Sequence, residues 1–230
     1  MKLYPLELSS RLVTNISRIS RRLKMDVLVK EVATRDLDTL VVIGDGTPDD
    51  IAFRIIAFHL KGDKIAGIVK PKEEKRIDCV GLIPAYLKGN IRKIIFLMDQ
   101  EDDKLSTIYE TIHEGVKKIA TGKIKVIDEE SEKRLKVYEC KYGSKEFELI
   151  LVINGLDEIH TDKHSIEDHL LKAAELLSIE VGDFGNSKEA WNSIKDRHED
   201  IFKKLKKKRK IVEGVFPQQI QGCKYLAEKL

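Results

Sequence analysis

Short apolar runs alternate with longer stretches in which apolar residues recur every three or four positions, and the alternation begins at Leu40. Leu40 to Ile43 predicts a buried strand, which stops at Gly44, Asp45 and Gly46. Thr47, Pro48 and Asp49 then open a helix to about Leu60, with Ile51, Ile55 and Phe58 on one face and Gly62 beyond its end. The pattern next predicts a strand over Ile65 to Val69, a short helix over Cys79 to Leu87 and a strand over Ile94 to Met98. A helix from about Lys104 to Ala120 follows. Leu135 to Cys140 and Glu148 to Ile153 read as a hairpin turning through Tyr142, Gly143 and Ser144, and Ser165 opens a helix to about Leu177. Strands alternating with helices in this way predict an α/β fold, a mostly parallel sheet with helices on both faces.

Outside this region the pattern changes. Before it, Ser9 or Ser10 caps a predicted helix to about Lys24, basic through Arg11, Arg18, Arg21, Arg22 and Lys24, and Asp26 to Val32 reads as an added edge strand. After it, the loop Gly182 to Asn186 leads into a helix over Lys188 to Arg209, ending in Lys203, Lys204, Lys206, Lys207, Lys208, Arg209 and Lys210. The expected organisation is a basic N-terminal helical segment (1–38), an α/β domain (39–178) and a basic C-terminal helical extension (179–230). Each basic stretch has two readings: a solvated helix face, or a surface that binds phosphate backbone by counterion release.

Composition narrows the class. The chain has 230 residues, 42% of them hydrophobic, enough for a sizeable core. Charged residues make up 35% with a formal net charge of +3, so any basic surface is local. Cys79, Cys140 and Cys223 form no CxxC pair, which argues against a disulfide framework or a cysteine zinc site and fits a reducing cytoplasm. No signal-peptide core and no membrane-length apolar run is present, so a cytoplasmic protein without a membrane partner is expected.

Candidate chemistry rests on carboxylates at strand ends. Asp45 follows one buried strand, Asp99 and Glu101 another, and Asp157 a third. Parallel strands would bring these groups to one edge, where ligands bind in open α/β sheets. Clustered carboxylates repel unless a cation neutralises them, which points to Mg²⁺ or Mn²⁺ and to metal-assisted phosphoryl chemistry.

In order and context these residues resemble the Toprim fold, most closely the Toprim domain of overcoming-lysogenization-defect (OLD) nucleases. DGTPD places Asp45 and Asp49 where that family has its first glutamate and a second acid four residues on. LMDQEDD places Asp99 and Glu101 at its DxD turn, and HSIEDHLL places Ser165 and Glu167 at its Ser-x-Glu element. The resemblance covers roughly Thr39 to Ser178. It implies catalysis by Asp45 and Asp99, and metal ligation by Asp45, Asp49, Asp99, Glu101 and Glu167. It further implies a nucleic-acid substrate, DNA or RNA, whose backbone the basic block Lys203 to Lys210, outside the resemblance, would hold by its charge. OLD nucleases carry an ATPase domain in the same chain, which leaves an ATPase as a separate partner here; a homo-oligomer stays open. Aspartate at the first glutamate and glutamate in the DxD turn depart from the family pattern, and they leave a catalytically degenerate site as the alternative.

Each carboxylate also has a structural explanation. Thr47 can cap the helix with Pro48 at its first position and Asp50 back-bonding, and Ser165 to Asp168 is a similar helix start. Asp102 and Asp103 read as caps. His160 and His164 lie in a loop without a third ligand, His59 and His113 lie within helices, and no GxxxxGK[ST] follows Gly44 and Gly46. Two functions of different class follow: a Mg²⁺-dependent nuclease, or a non-catalytic Toprim-like module that binds nucleic acid or a partner.

Overall fold

The computed structural model describes all residues except 8–10, 34–35, 45, 131–133, 183 and 228–230. Seven strands form one sheet: β1 (Lys2–Pro5), β2 (Thr39–Ile43), β3 (Ile65–Val69), β4 (Lys93–Asp99), β5 (Lys125–Glu130), β6 (Leu135–Tyr142) and β7 (Lys145–Asn154). Their spatial order is β1-β3-β2-β4-β7-β6-β5. The first four pairings are parallel, and the last two, β7 with β6 and β6 with β5, are antiparallel. The expected α/β class and mostly parallel sheet are therefore observed.

Strand alternation divides the core. Every residue of β2 and β4 is buried, as expected for parallel strands covered on both faces. Val41, Ile43, Ile95, Leu97, Ile150 and Val152 face one layer. It contains helices α1 (Arg11–Leu23), α2 (Thr47–His59), α5 (Ile166–Leu176), α6 (Ser187–Ser193), α7 (His198–Lys207), α8 (Arg209–Val215) and α9 (Pro217–Ala227). Leu40, Val42, Ile94, Phe96, Leu149 and Leu151 face the other, built from a 3₁₀ stretch (Arg76–Leu82), α3 (Ile83–Tyr86) and α4 (Leu105–Ile119). The helices that follow β2 and β4 thus lie on opposite faces. In open α/β sheets such a divergence marks the place of the ligand crevice, beyond the C-terminal ends of these neighbouring strands.

The β6–β7 hairpin forms as predicted, with Gly143 at φ +61° in the turn. Several expectations fail. Asp26 to Val32 is not a strand; among its residues Leu28 makes an isolated bridge to Leu3. β1 and β5, which the apolar pattern did not mark, occupy the two sheet edges. The helix expected over Lys188 to Arg209 is three helices. Across the first break the Trp191 and His198 rings stack with centroids 3.7 Å apart and His198 Nε2 bonds the Trp191 carbonyl at 2.7 Å, contacts that hold the turned chain between α6 and α7. The Ser9 or Ser10 cap lies outside the described residues.

Helix α9, unmarked by the sequence pattern, sits directly on the sheet. A Cβ built at Gly222 would lie 2.7 Å from Val152 Cγ2 and 2.8 Å from Ile95 Cδ1, so only glycine allows this approach. Beneath it, buried Lys93 bridges Glu148 at 2.8 Å and donates to the Tyr225 carbonyl at 3.0 Å. Gly222→Ala is expected to lower stability by roughly 1–3 kcal/mol, the usual effect of an overpacked core. Chemical denaturation checks this, and an unchanged midpoint would mean that α9 is not held against the sheet.

Candidate functional site

The crevice is built by three successive strand ends. Asp99 closes β4, Asn154 closes β7, and the two are register partners across the sheet. Asp49 comes from the first turn of α2, beyond the end of β2. Asn154 Nδ2 donates to Asp49 Oδ1 at 2.8 Å and to Asp99 Oδ1 at 3.0 Å, so one amide joins two buried carboxylates. Gln219 of α9 donates from Nε2 to Asn154 Oδ1 at 2.8 Å, which orients that amide with its hydrogens toward the acids. The backbone amide of Ile166, at the start of α5, donates to Asp99 Oδ1 at 2.9 Å. Asp99 thereby caps a helix from a distant strand, with its carboxylate at that helix's N-terminus.

Glu101 and Glu167 complete the acidic edge with a cation between them. Glu101 has a left-handed backbone, φ +56°, an uncommon conformation for a side chain of this kind. Its amide donates to the His164 carbonyl at 2.8 Å and its carbonyl accepts from the His164 amide at 3.0 Å, which ties the β4 turn to the loop before α5. Lys188 of α6 donates to Glu101 Oε1 and feels the charges of Asp99 and Glu167. Glu167 is buried in the first turn of α5, and its Oε2 has no hydrogen-bond partner among the described residues. Burial pushes its carboxyl above the ordinary value, with Lys188 pulling it down and Glu101 adding to the rise. Asp50 is likewise raised by burial, against Lys70 at 3.0 Å and Asn15 at 3.4 Å.

A neutral scaffold stands behind the acids. Buried His169 donates from Nδ1 to the Val215 carbonyl, and its Nε2 accepts from the Gly155 amide at 3.1 Å and from Gln219 at 3.2 Å. Burial lowers its pKa to about 4, so the ring stays neutral and in one tautomer at physiological pH. Gly155 has φ +131°, and a Cβ there would lie 2.6 Å from His164 Cβ. Buried Arg134 bonds Gln100 and Asp157, and Arg76 donates to the Gln100 carbonyl at 2.8 Å and to Asp103 at 2.7 Å.

The predicted residues divide accordingly. Asp49, Asp99, Glu101 and Glu167 come to one edge, while Asp45 lies outside the described residues. Among the described residues no three His, Cys, Asp or Glu side chains converge closely enough to hold a metal ion. Asp157 turns to Arg134, Asp103 to Arg76, and neither Asp102 nor Asp103 is the cap of α4, which is Lys104. Gly46 rather than Thr47 is the N-cap of α2, and Asp168 accepts from the Leu156 amide and from His164 instead of closing a capping box. In the lysine block, Lys203 pairs with Glu199, Lys206 caps the Leu23 and Lys24 carbonyls, and Arg209 pairs with Glu213. Lys207, Lys208 and Lys210 are exposed. Asn154, Gln219, His169 and Lys188 were not marked by the sequence, since each acts through partners remote in the chain.

Comparison with known proteins found no matching family model, no matching curated protein and no matching solved structure.

Because its folded value is raised, Glu167 stabilises the fold while protonated, and that contribution is lost as pH rises from the unfolded carboxyl value through the folded one. Glu167→Gln is therefore expected to raise the thermal midpoint at neutral pH and to flatten the loss above pH about 4.3, the ordinary glutamate value. A Glu167→Gln protein less stable than wild type at neutral pH would contradict this.

Proposed function

We propose that the crevice is a divalent-cation site and that the protein is a Mg²⁺- or Mn²⁺-dependent nuclease cleaving phosphodiester bonds in nucleic acid, as its resemblance to the Toprim domain of OLD nucleases implies. The observation that carries this reading is the balance of charge at one sheet edge. Asp49 comes from the first turn of α2, Asp99 from the end of β4, Glu101 from the turn after it and Glu167 from the first turn of α5, and Lys188 is the cation set among the last three. Such an excess of hard oxygen donors suits a divalent metal ion. Glu167 Oε2, buried and without a hydrogen-bond partner among the described residues, is an oxygen that a cation would satisfy.

Asp49, Asp99, Glu101 and Glu167, with Asp45 four residues before Asp49 in the sequence, would hold the ion only by closing in on it, since among the described residues no three of them converge to ligating distance here. Bound there, it would polarise a phosphoryl oxygen and make a water molecule more acidic. Asn154 and the α5 amide hold Asp99 in a fixed orientation, with the Asn154 amide in turn set by Gln219. Lys188, released from Glu101, offers its ammonium to a phosphate oxygen. His169 stays neutral and serves as scaffold.

The degenerate-module reading has one specific observation in its favour: Asp99 is already engaged as a helix cap, and Lys188 already neutralises Glu101. Asp99→Asn separates the two, because asparagine can still accept from the Ile166 amide. The variant is expected to keep the native spectrum and to lose at least about a hundredfold in Mg²⁺-dependent cleavage of labelled DNA or RNA, as removal of a metal ligand should. Cleavage at the wild-type rate would sink the assignment; strand binding by a wild type that never cleaves would select the module.

A further inference from the structure

Beside Lys188 the structure contains a cavity of about 560 Å³ that the acidic edge does not use. It lies between the loop that leads to His164 and the segment joining α5 to α6. Ile159, Leu171, Ile179 and Val181 contribute apolar walls. Phe184 stands at its border 45% exposed, although it is a large apolar ring. The ring is held close against the backbone: a Cβ at Gly182 would lie 3.2 Å from Phe184 Cε2. Ser187 lines the same cavity, is buried, and has a hydroxyl without a hydrogen-bond partner among the described residues. Glu175 and Glu180 are the charged residues of the lining.

We propose that this cavity binds an unpaired nucleobase, and that the strand taken by the protein is single-stranded, with the adjoining phosphate on Lys188. The idea rests on the proposed reading of the crevice as a phosphodiester site. Four features favour a base over other ligands. An exposed, backbone-held aromatic ring is a stacking platform. The partnerless Ser187 hydroxyl can donate to or accept from a base edge. Glu180, with Glu175 paired to Lys172 at 3.0 Å, makes the lining a poor place for a phosphate while offering acceptors to exocyclic amino groups, so the phosphate is left outside. Ser187 adjoins Lys188 in the chain, which puts beside the cavity a cation that is paired with Glu101 until a phosphate takes it. A base can enter such a cavity only when it is out of its stack, and a single strand meets that condition at least cost.

The test uses the full chain in EDTA, where metal-dependent cleavage does not run, and two labelled probes of equal length and charge: a short DNA strand and the same strand built from abasic tetrahydrofuran units. Wild type is expected to prefer the base-bearing strand by on the order of ten- to a hundredfold, the range of one base stacked on an aromatic ring. Phe184→Ala should erase this preference and leave the salt dependence of binding unchanged, since no charge is removed. Phe184→Tyr should keep the preference. Equal affinity of wild type for the two probes, an undiminished preference in Phe184→Ala, or no binding of either probe would overturn the proposal. A base preference without any Mg²⁺-dependent cleavage supports the cavity and removes the catalytic reading; cleavage without a base preference does the reverse.

Discussion

The amide of Asn154 is the contact on which the crevice depends. It holds two buried carboxylates, Asp49 and Asp99, that arrive from different strands and would otherwise repel each other in a medium of low dielectric. The amide supplies two donors, and its own oxygen is occupied by Gln219 from the last helix, so its orientation is set from outside the site. Removing it would leave two buried anions each short of a donor, a change that typically costs about 1.5–3 kcal/mol per charged hydrogen bond. Gln219 in turn contacts His169, which bonds the Gly155 amide directly after Asn154. The chain's C-terminal helices thus secure the polar network at the ends of its central strands.

The same network explains why the edge is acidic yet stable as it stands. Asp99 is neutralised in part by the N-terminus of α5, Asp50 by Lys70, and Glu101 by Lys188. Glu167 is buried with one oxygen lacking a hydrogen-bond partner among the described residues, and its pKa is raised by that burial. Backbone strain falls at the same place, since Glu101 and Arg134 both adopt left-handed conformations beside the crevice. Strain of this kind costs on the order of 1–3 kcal/mol per residue and persists where the surroundings fix the conformation.

Much of the architecture was legible in the chain. The apolar runs of β2, β3, β4, β6 and β7 and the periodicity of α2, α4 and α5 are local signals, and they mark the strand ends from which Asp99 projects. Edge strands β1 and β5 were missed because β1 is short and β5 carries charged residues, Lys125, Asp128, Glu129 and Glu130, that break the apolar pattern. The break between α6 and α7 was missed because the Trp191–His198 stack is a contact between side chains, and no propensity announces it. The lysine block had two readings in sequence, a solvated helix end or a phosphate-binding surface; in the fold part of it is used in capping α1 and in pairs with Glu199 and Glu213.

The sequence by itself determined the fold class and the position of the acidic residues after buried strands, because hydrophobic periodicity and turn chemistry are written locally. Only the tertiary structure decided which polar groups meet. Asn154, Gln219, His169 and Lys188 are ordinary residues in sequence, and they acquire roles because parallel strands bring their ends to one edge while α6 packs on α5 and α9 folds back across the sheet. Partners 50 to 105 residues apart, such as Gln219 with His169 and Asn154 with Asp49, leave no trace in a local pattern, since their encounter depends on the packing of whole layers.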